Sequence, residues 1–273
     1  MKSKIGFMQG RLVESEKKNS IQYFPEKNWI KELKIAHKNG FNIMEWTINA
    51  ENIIKNPLYN GNLKRLLKAI NKYRIKIPSI TLDYFMQEPF YKKIKLKNKS
   101  KIILNLKKII TNGNKIGIKY FIFPLVDNSS LKNRTEEELL TYEIKKLLKL
   151  LNKDSKILFE IDYPPKKIIR FLRKFKSQKI GINYDTGNSA GLGFDFNQEI
   201  KYVKFIKNIH IKDRVLKGNS IRLGEGNWDY KKFFKLIRNN YKGNFILQTA
   251  RAKNNKHVEE INLNRNFILN ECK

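Results

Sequence analysis

The 273-residue sequence predicts an α/β protein built as a single (β/α)8 barrel over 1–273. Short apolar segments alternate with amphipathic ones eight times along the chain. The apolar segments are too uniformly hydrophobic to leave one face in water, which is the pattern of a parallel sheet covered by helices. No stretch rich in Pro, Gly or Ser divides the chain into two units. An open doubly wound sheet would carry a Gly-rich phosphate turn after its first strand. Here that turn reads Gln9-Gly10-Arg11-Leu12 and matches neither nucleotide-binding glycine pattern.

The elements follow in order. An apolar strand at 5–8 precedes an amphipathic helix over 27–39, which Gly40 stops. Strand 42–47 pairs with helix 62–73, and strand 77–82 with helix 100–116, closed by Gly117. Strand 119–123 runs into Pro124. The next helix, 135–152, opens on Thr135-Glu136-Glu137-Glu138, acidic residues at the end where the helix dipole favours them. Strand 156–161 is followed by helix 165–176, which starts at Pro164-Pro165 because proline is tolerated in a first helical turn. The last three pairs are strand 180–184 with helix 197–205, strand 209–212 with helix 230–240, and strand 245–249 with helix 258–270.

Composition excludes several classes. With 41% hydrophobic and 12% aromatic residues the chain can bury a large core and is not intrinsically disordered. Its longest apolar stretches, such as 120–126, fall far short of the roughly 18 residues of a membrane span. Met1-Lys2-Ser3-Lys4-Ile5-Gly6-Phe7-Met8 turns polar at Gln9-Gly10-Arg11 without an apolar leader core, so a cytoplasmic protein is expected. The one cysteine, Cys272, excludes an internal disulfide and a Cys-based zinc site. Lys and Arg number 57 against 25 Asp and Glu, a net charge of +32 that would concentrate polyanions. That excess is spread evenly through Lys-, Ile- and Asn-rich sequence, as AT-rich coding produces. The densest run, 92–101, has only Tyr91 as a stacking aromatic and reads as a solvated loop and helix face. No specific nucleic-acid partner is expected.

In a barrel of this kind the chemistry sits at the C-terminal ends of the strands. Polar residues there are Gln9, Arg11, Glu45, Asp83, Asp127, Glu160, Asp162, Asp185, Asn188, His210, Lys212, Gln248 and Arg251. Glu160, Asp185 and His210 end three consecutive strands and so point at one volume. Two carboxylates and an imidazole make a set suited to one divalent cation (Mn, Mg, Co or Zn), with positions left for substrate and water. Taken singly, Asp185 would cap the following turn, Glu160 would pair with a lysine, and His210 would be a satisfied core histidine.

The segments Leu158-Phe159-Glu160, Asn183-Tyr184-Asp185-Thr186-Gly187-Asn188, His210-Ile211-Lys212-Asp213-Arg214 and Leu223-Gly224-Glu225-Gly226-Asn227 resemble the xylose isomerase-like TIM-barrel family, in particular its sugar-phosphate isomerase/epimerase members. Lys4-Ile5-Gly6-Phe7 and Gly40-Phe41-Asn42-Ile43-Met44-Glu45 extend the likeness over nearly the whole chain. The resemblance implies one divalent metal held by Glu160, Asp185, His210 and position 248. It implies an isomerase or epimerase in which a proton next to a carbonyl is removed and an enediolate is stabilised by the metal, with Glu160 as the base. Related barrels often form homo-oligomers.

Position 248 departs from the pattern. Gln248 offers a carbonyl oxygen but cannot take or return a proton. The second proton would then come from Glu225, Lys212, Asp162 or water, and a keto-polyol dehydratase or a non-catalytic sugar-binding barrel become alternatives. An abasic-site endonuclease needs more histidines than His37, His210 and His257. Substrate contacts are expected from Asn188, Lys212, Arg214, Glu225 and Arg251. The glycines of the 223–226 loop, with Lys212, Arg214 and Arg251, leave open whether the small-molecule sugar is phosphorylated. Trp46, Tyr84 and Phe85 read as core first and pocket floor second, and Trp228 as an anchor for the next helix.

Overall fold

The computed structural model describes residues 4–17, 22–252 and 255–272; Met1–Ser3, at the head of the leader reading, lie outside them. Eight parallel strands close into a barrel: β1 (Ile5–Met8), β2 (Met44–Thr47), β3 (Ser79–Thr81), β4 (Tyr120–Leu125), β5 (Lys156–Ile161), β6 (Ile180–Asp185), β7 (Ile206–Ile211) and β10 (Asn244–Leu247). β1 pairs with both β2 and β10, so no sheet edge is left. Closure places β5, β6 and β7 side by side, with Asp185 of β6 in register with His210 of β7.

The helices between the strands bury one apolar stripe each. α1 (Trp29–Lys38) buries Trp29, Leu33 and Ala36; α3 (Leu63–Lys72) buries Leu66, Ala69 and Ile70. α5 (Leu96–Lys115), α6 (Arg134–Leu148), α7 (Pro165–Arg173), α10 (Tyr230–Ile237) and α11 (His257–Glu271) repeat that arrangement. α6 is capped by Asn133, whose side chain accepts from the Glu136 amide at 3.0 Å. No helix among the described residues is long and apolar enough to cross a membrane.

Several boundaries differ from the sequence expectation. β4 runs through Pro124 to Leu125, in register with Glu160 and Ile161, because a proline in extended backbone costs a strand only one donor. The expected sixth helix, 197–205, is a single α-turn, α9 (Phe196–Glu199), continued as a 3₁₀ segment, Ile200–Phe205. An additional helix, α8 (Thr186–Leu192), follows β6 directly, and a hairpin of β8 (Asp213–Arg214) and β9 (Ser220–Ile221) follows β7. Short helices α2 (Pro57–Asn60) and α4 (Asp83–Gln87) fill the connections after β2 and β3. Trp46 and Phe85 are fully buried, and the Trp46 indole donates to Asn56 at 3.0 Å, so both are core rather than pocket floor. Trp228 packs on Tyr184, Phe196 and Phe233 as an anchor for α10.

Candidate metal centre and active site

Apolar strands carry a polar side chain at alternate positions near their C-terminal ends: Ser79 and Thr81, Asn183 and Asp185, Asn208 and His210. A period of two puts each pair on one face of its strand, and these six side chains are all buried. They meet inside the barrel. Glu45 of β2 accepts from Ser79 at 2.6 Å, Thr81 at 2.5 Å and Asn208 at 2.9 Å, and its Oε1 lies 2.7 Å from His210 Nε2. Nε2 is thereby committed to Glu45. Nδ1 lies 3.0 Å from Glu160 Oε2 and 3.0 Å from the Asn183 amide nitrogen. This fixes which ring nitrogen a metal would meet.

Glu160 is held in place by Asn183, which donates to Oε2 at 2.9 Å, and by Asn188, which donates to Oε1 at 2.8 Å. Asp185 divides its two oxygens. Oδ1 caps α8 by accepting from the Asn188 amide at 2.8 Å. Oδ2 is buried without a hydrogen-bond partner among the described residues and stands 3.6 Å from the Lys212 ammonium. The capping and metal-ligand readings of Asp185 are therefore both compatible with the same side chain.

Electrostatics follow from these contacts. Burial alone would drive the His210 imidazole toward neutrality, but Glu45 and Glu160 outweigh it and carry its pKa up to about 10. Burial likewise penalises the charged forms of Glu45 and Glu160, and His210 reverses that penalty and holds both below the usual carboxylate range. Asp185 is raised instead, by burial and by the Glu160 charge, against the pull of Lys212. One ligand atom from each of Glu160, Asp185 and His210 lies within 4.8 Å of the others. Three convergent donors, two of them carboxylates and one carrying an oxygen with no partner, fit a divalent cation. At Gln248, Nε2 donates to Gln22 at 2.9 Å, while the buried Oε1 has no hydrogen-bond partner among the described residues.

A cavity of about 430 Å³ opens above this cluster, lined among others by Asp83, Glu160, Asn188, Lys212, Arg214 and Gln248. Lys212 and Arg214 reach it by lying across α8. A Cβ on Gly187 would stand 2.6 Å from Lys212 Cγ, and one on Gly191 2.9 Å from Arg214 Cζ, so these two glycines make room for the cations. Arg214 is braced by the Gly218 carbonyl at 2.8 Å and 3.0 Å.

The remaining expected substrate contacts lie elsewhere. Glu225 and Arg251 line a second cavity, between β9, the chain after β10 and α11. The Arg251 guanidinium is engaged by the carbonyls of Gly10 and Val13. The amides of Gly224 and Gly226, read from sequence as an anion cradle, donate to the Asp213 carboxylate at 3.0 and 3.1 Å. Asp213, not a ligand, fills that cradle. Sequence reasoning left Asn183, Asn208, Ser79 and Thr81 out of the site and gave Glu45 no role in it, although polar residues two apart on otherwise apolar strands marked four of them.

A family model described as xylose isomerase-like TIM barrel matches residues 33–267. Among solved structures, a xylose isomerase domain protein from Planctomyces limnophilus superposes with a TM-score of 0.76 at 11% identity, covering 98% of this chain and 96% of that one. The D-allulose 3-epimerase from Methylomonas sp. gives 0.75 at 12% identity, covering 98% and 97%. A xylose isomerase-like TIM barrel protein from Mycobacterium smegmatis, solved in complex with magnesium, gives 0.70 at 14% identity, covering 98% and 96%. At these identities the superpositions speak for the fold. No curated protein matches the sequence.

Proposed function

The chain belongs to the xylose isomerase-like TIM-barrel family, and from that premise we propose that it is a divalent-metal-dependent isomerase or epimerase of a sugar. The observation that carries this reading is the convergence of Glu160, Asp185 and His210 at the ends of three adjacent strands, under a cavity of sugar size. Solved relatives of the same fold include proteins named as sugar epimerases.

Glu160, the Oδ2 of Asp185, the Nδ1 of His210 and the Oε1 of Gln248 would hold the cation. When bound, the cation supplies Lewis acidity, lowering the pKa of the C–H next to the substrate carbonyl. Glu160 removes that proton. Asn183 and Asn188 keep its carboxylate oriented, and burial keeps water from competing for the base. Lys212 and Arg214 offer donors to the hydroxyls and to the oxygen that gains negative charge. The spent amides of Gly224 and Gly226 and the engaged guanidinium of Arg251 favour an unphosphorylated sugar over a sugar phosphate.

The test is proton exchange in D₂O with Mn²⁺ and a panel of free ketopentoses, ketohexoses and their phosphates. Deuterium entering the carbon next to the carbonyl, with an isomer or epimer formed, is the expected result. Exchange accompanied by loss of water from the substrate would move the reading to a dehydratase. No exchange with any sugar would overturn it.

A further inference from the structure

Position 248, just beyond β10, carries an amide, Gln248, and so cannot move a proton. Glu160 alone can deprotonate one face of a substrate carbon, but inversion needs a second group that gives a proton back to the other. The groups considered from sequence are poorly placed for this. Glu225 is exposed and lines the second cavity; Asp162 is engaged with the Ser130 hydroxyl; the Lys212 ammonium lines the first cavity but is ion-paired with Asp185. Three carboxylates border the cavity beneath which the metal cluster sits: Glu160, the exposed Asp127, and Asp83.

Asp83 stands two residues past the end of β3 and opens α4, two strands round the ring from Glu160, and is 6% exposed. Gln22 stands between the two positions: its Oε1 accepts from Gln248 Nε2 at 2.9 Å, and its side chain lies beside the Asp83 carboxyl. Asn49 approaches the same carboxyl at 3.4 Å. We propose that Asp83 is the second proton-transfer residue of this enzyme, a carboxyl just beyond β3 in place of the one that position 248, just beyond β10, lacks.

This inference rests on the isomerase/epimerase reading. In the forward direction the Glu160 carboxylate takes the proton from the carbon next to the carbonyl, and the C–H electron pair passes into the enediolate. The carboxylic acid of Asp83 then delivers its proton to the other face, and the enediolate pair forms the new C–H bond. Glu160 ends protonated and Asp83 ionised; exchange with solvent resets both. Such a donor must hold its proton near neutral pH. Burial, and then the Glu160 charge, push Asp83 up to about 7, against the opposing effects of Gln22, Arg11 and His210, the other groups that face it.

The test uses full-length protein loaded with Mn²⁺, with Asp83→Asn as the variant. Wild type in D₂O is expected to form epimer with deuterium at the inverted carbon. Asp83→Asn is expected to keep its metal and to place deuterium in the unepimerised sugar through Glu160, while epimer formation falls at least about 100-fold. A second readout needs no turnover: in metal-free protein with ¹³C-labelled aspartate, one carboxyl resonance titrates near pH 7 and is missing from Asp83→Asn. Epimer formation at the wild-type rate, or loss of exchange and epimer formation in equal proportion, would overturn the assignment, as would aspartates that all titrate below pH 5. Wild type that exchanges no sugar at all would remove the isomerase/epimerase reading and this inference with it.

Discussion

At the β10–β1 side of the barrel mouth, Arg11, Glu32 and Arg251 form a cluster of ionisable groups turned inward on the chain itself. Glu32 accepts from the Gly10 amide at 2.8 and 2.9 Å and the Leu12 amide at 3.0 Å, Arg11 Nε donates to the Thr249 carbonyl at 2.9 Å, and Arg251 grips the carbonyls of Gly10 and Val13. At the β5–β7 side, Glu160, Asp185 and His210 are as deeply buried, yet an Asp185 oxygen has no hydrogen-bond partner among the described residues. That oxygen has only the Lys212 ammonium, at 3.6 Å, and its carboxylate offers an atom within 4.8 Å of ligand atoms of Glu160 and His210. The first cluster fastens the loop after β1; the second brings together three groups that could hold a metal ion.

The largest expected effect separates the two directly. Asp185→Asn keeps an oxygen to cap α8 but loses the charge, so metal retention should be abolished while the melting temperature of the metal-free protein stays within a few degrees of wild type. Elemental analysis beside a thermal melt checks it. Glu32→Ala should do the reverse. The Gly10 and Leu12 amides lose their acceptor, at about 1–3 kcal/mol for each buried donor left unpaired in denaturant unfolding, and the variant that still folds should bind metal normally. If Glu32→Ala instead abolished binding at unchanged stability, the two clusters would not be separable.

Smaller effects sharpen the contrast. Glu45 touches no metal in this arrangement but fixes His210 through Nε2, so Glu45→Gln should weaken metal affinity about 10–100-fold, measured by competition with a chelator. Smallest is a pH effect at Glu32, whose carboxyl is pushed up to about 7 by burial, against the Leu12 and Gly10 amides and the two arginines. The folded chain holds that proton more tightly than the unfolded one. Its stabilising contribution is therefore complete below about pH 4.5, declines as the pH rises to about 7 and is level above that. Glu32→Gln has no such decline, so the gap in melting temperature between wild type and variant should narrow from pH 5 to pH 8 in melts run across that range.

Much of this was legible in the sequence for a physical reason. Strand ends in a parallel barrel are set by apolar runs, and Glu160, Asp185 and His210 stand at the ends of three of them. α8 was not legible, because the residues after Asp185 read as a turn; the lack of side chains at Gly187 and Gly191 is explained only by the stems of Lys212 and Arg214 that cross them. The Asp213 carboxylate inside the Gly224–Gly226 loop depends on a hairpin closing over eleven to fifteen residues, which no local pattern announces. Arg251 was read by its charge alone. Its carbonyl partners lie 241 and 238 residues away, brought together only by closure of the ring between β10 and β1. The pairing of Gln22 with Gln248, 226 residues apart, is hidden for the same reason.

The most direct measurement is the metal content of the purified protein, stripped with chelator, reloaded with Mn²⁺ and freed of excess by gel filtration. A site built from Glu160, Asp185, His210 and Gln248 retains about one ion per chain, and Asp185→Asn retains none. Wild type that comes through without metal under every loading condition, or a variant that retains as much as wild type, would contradict a metal centre at the ends of β5, β6 and β7.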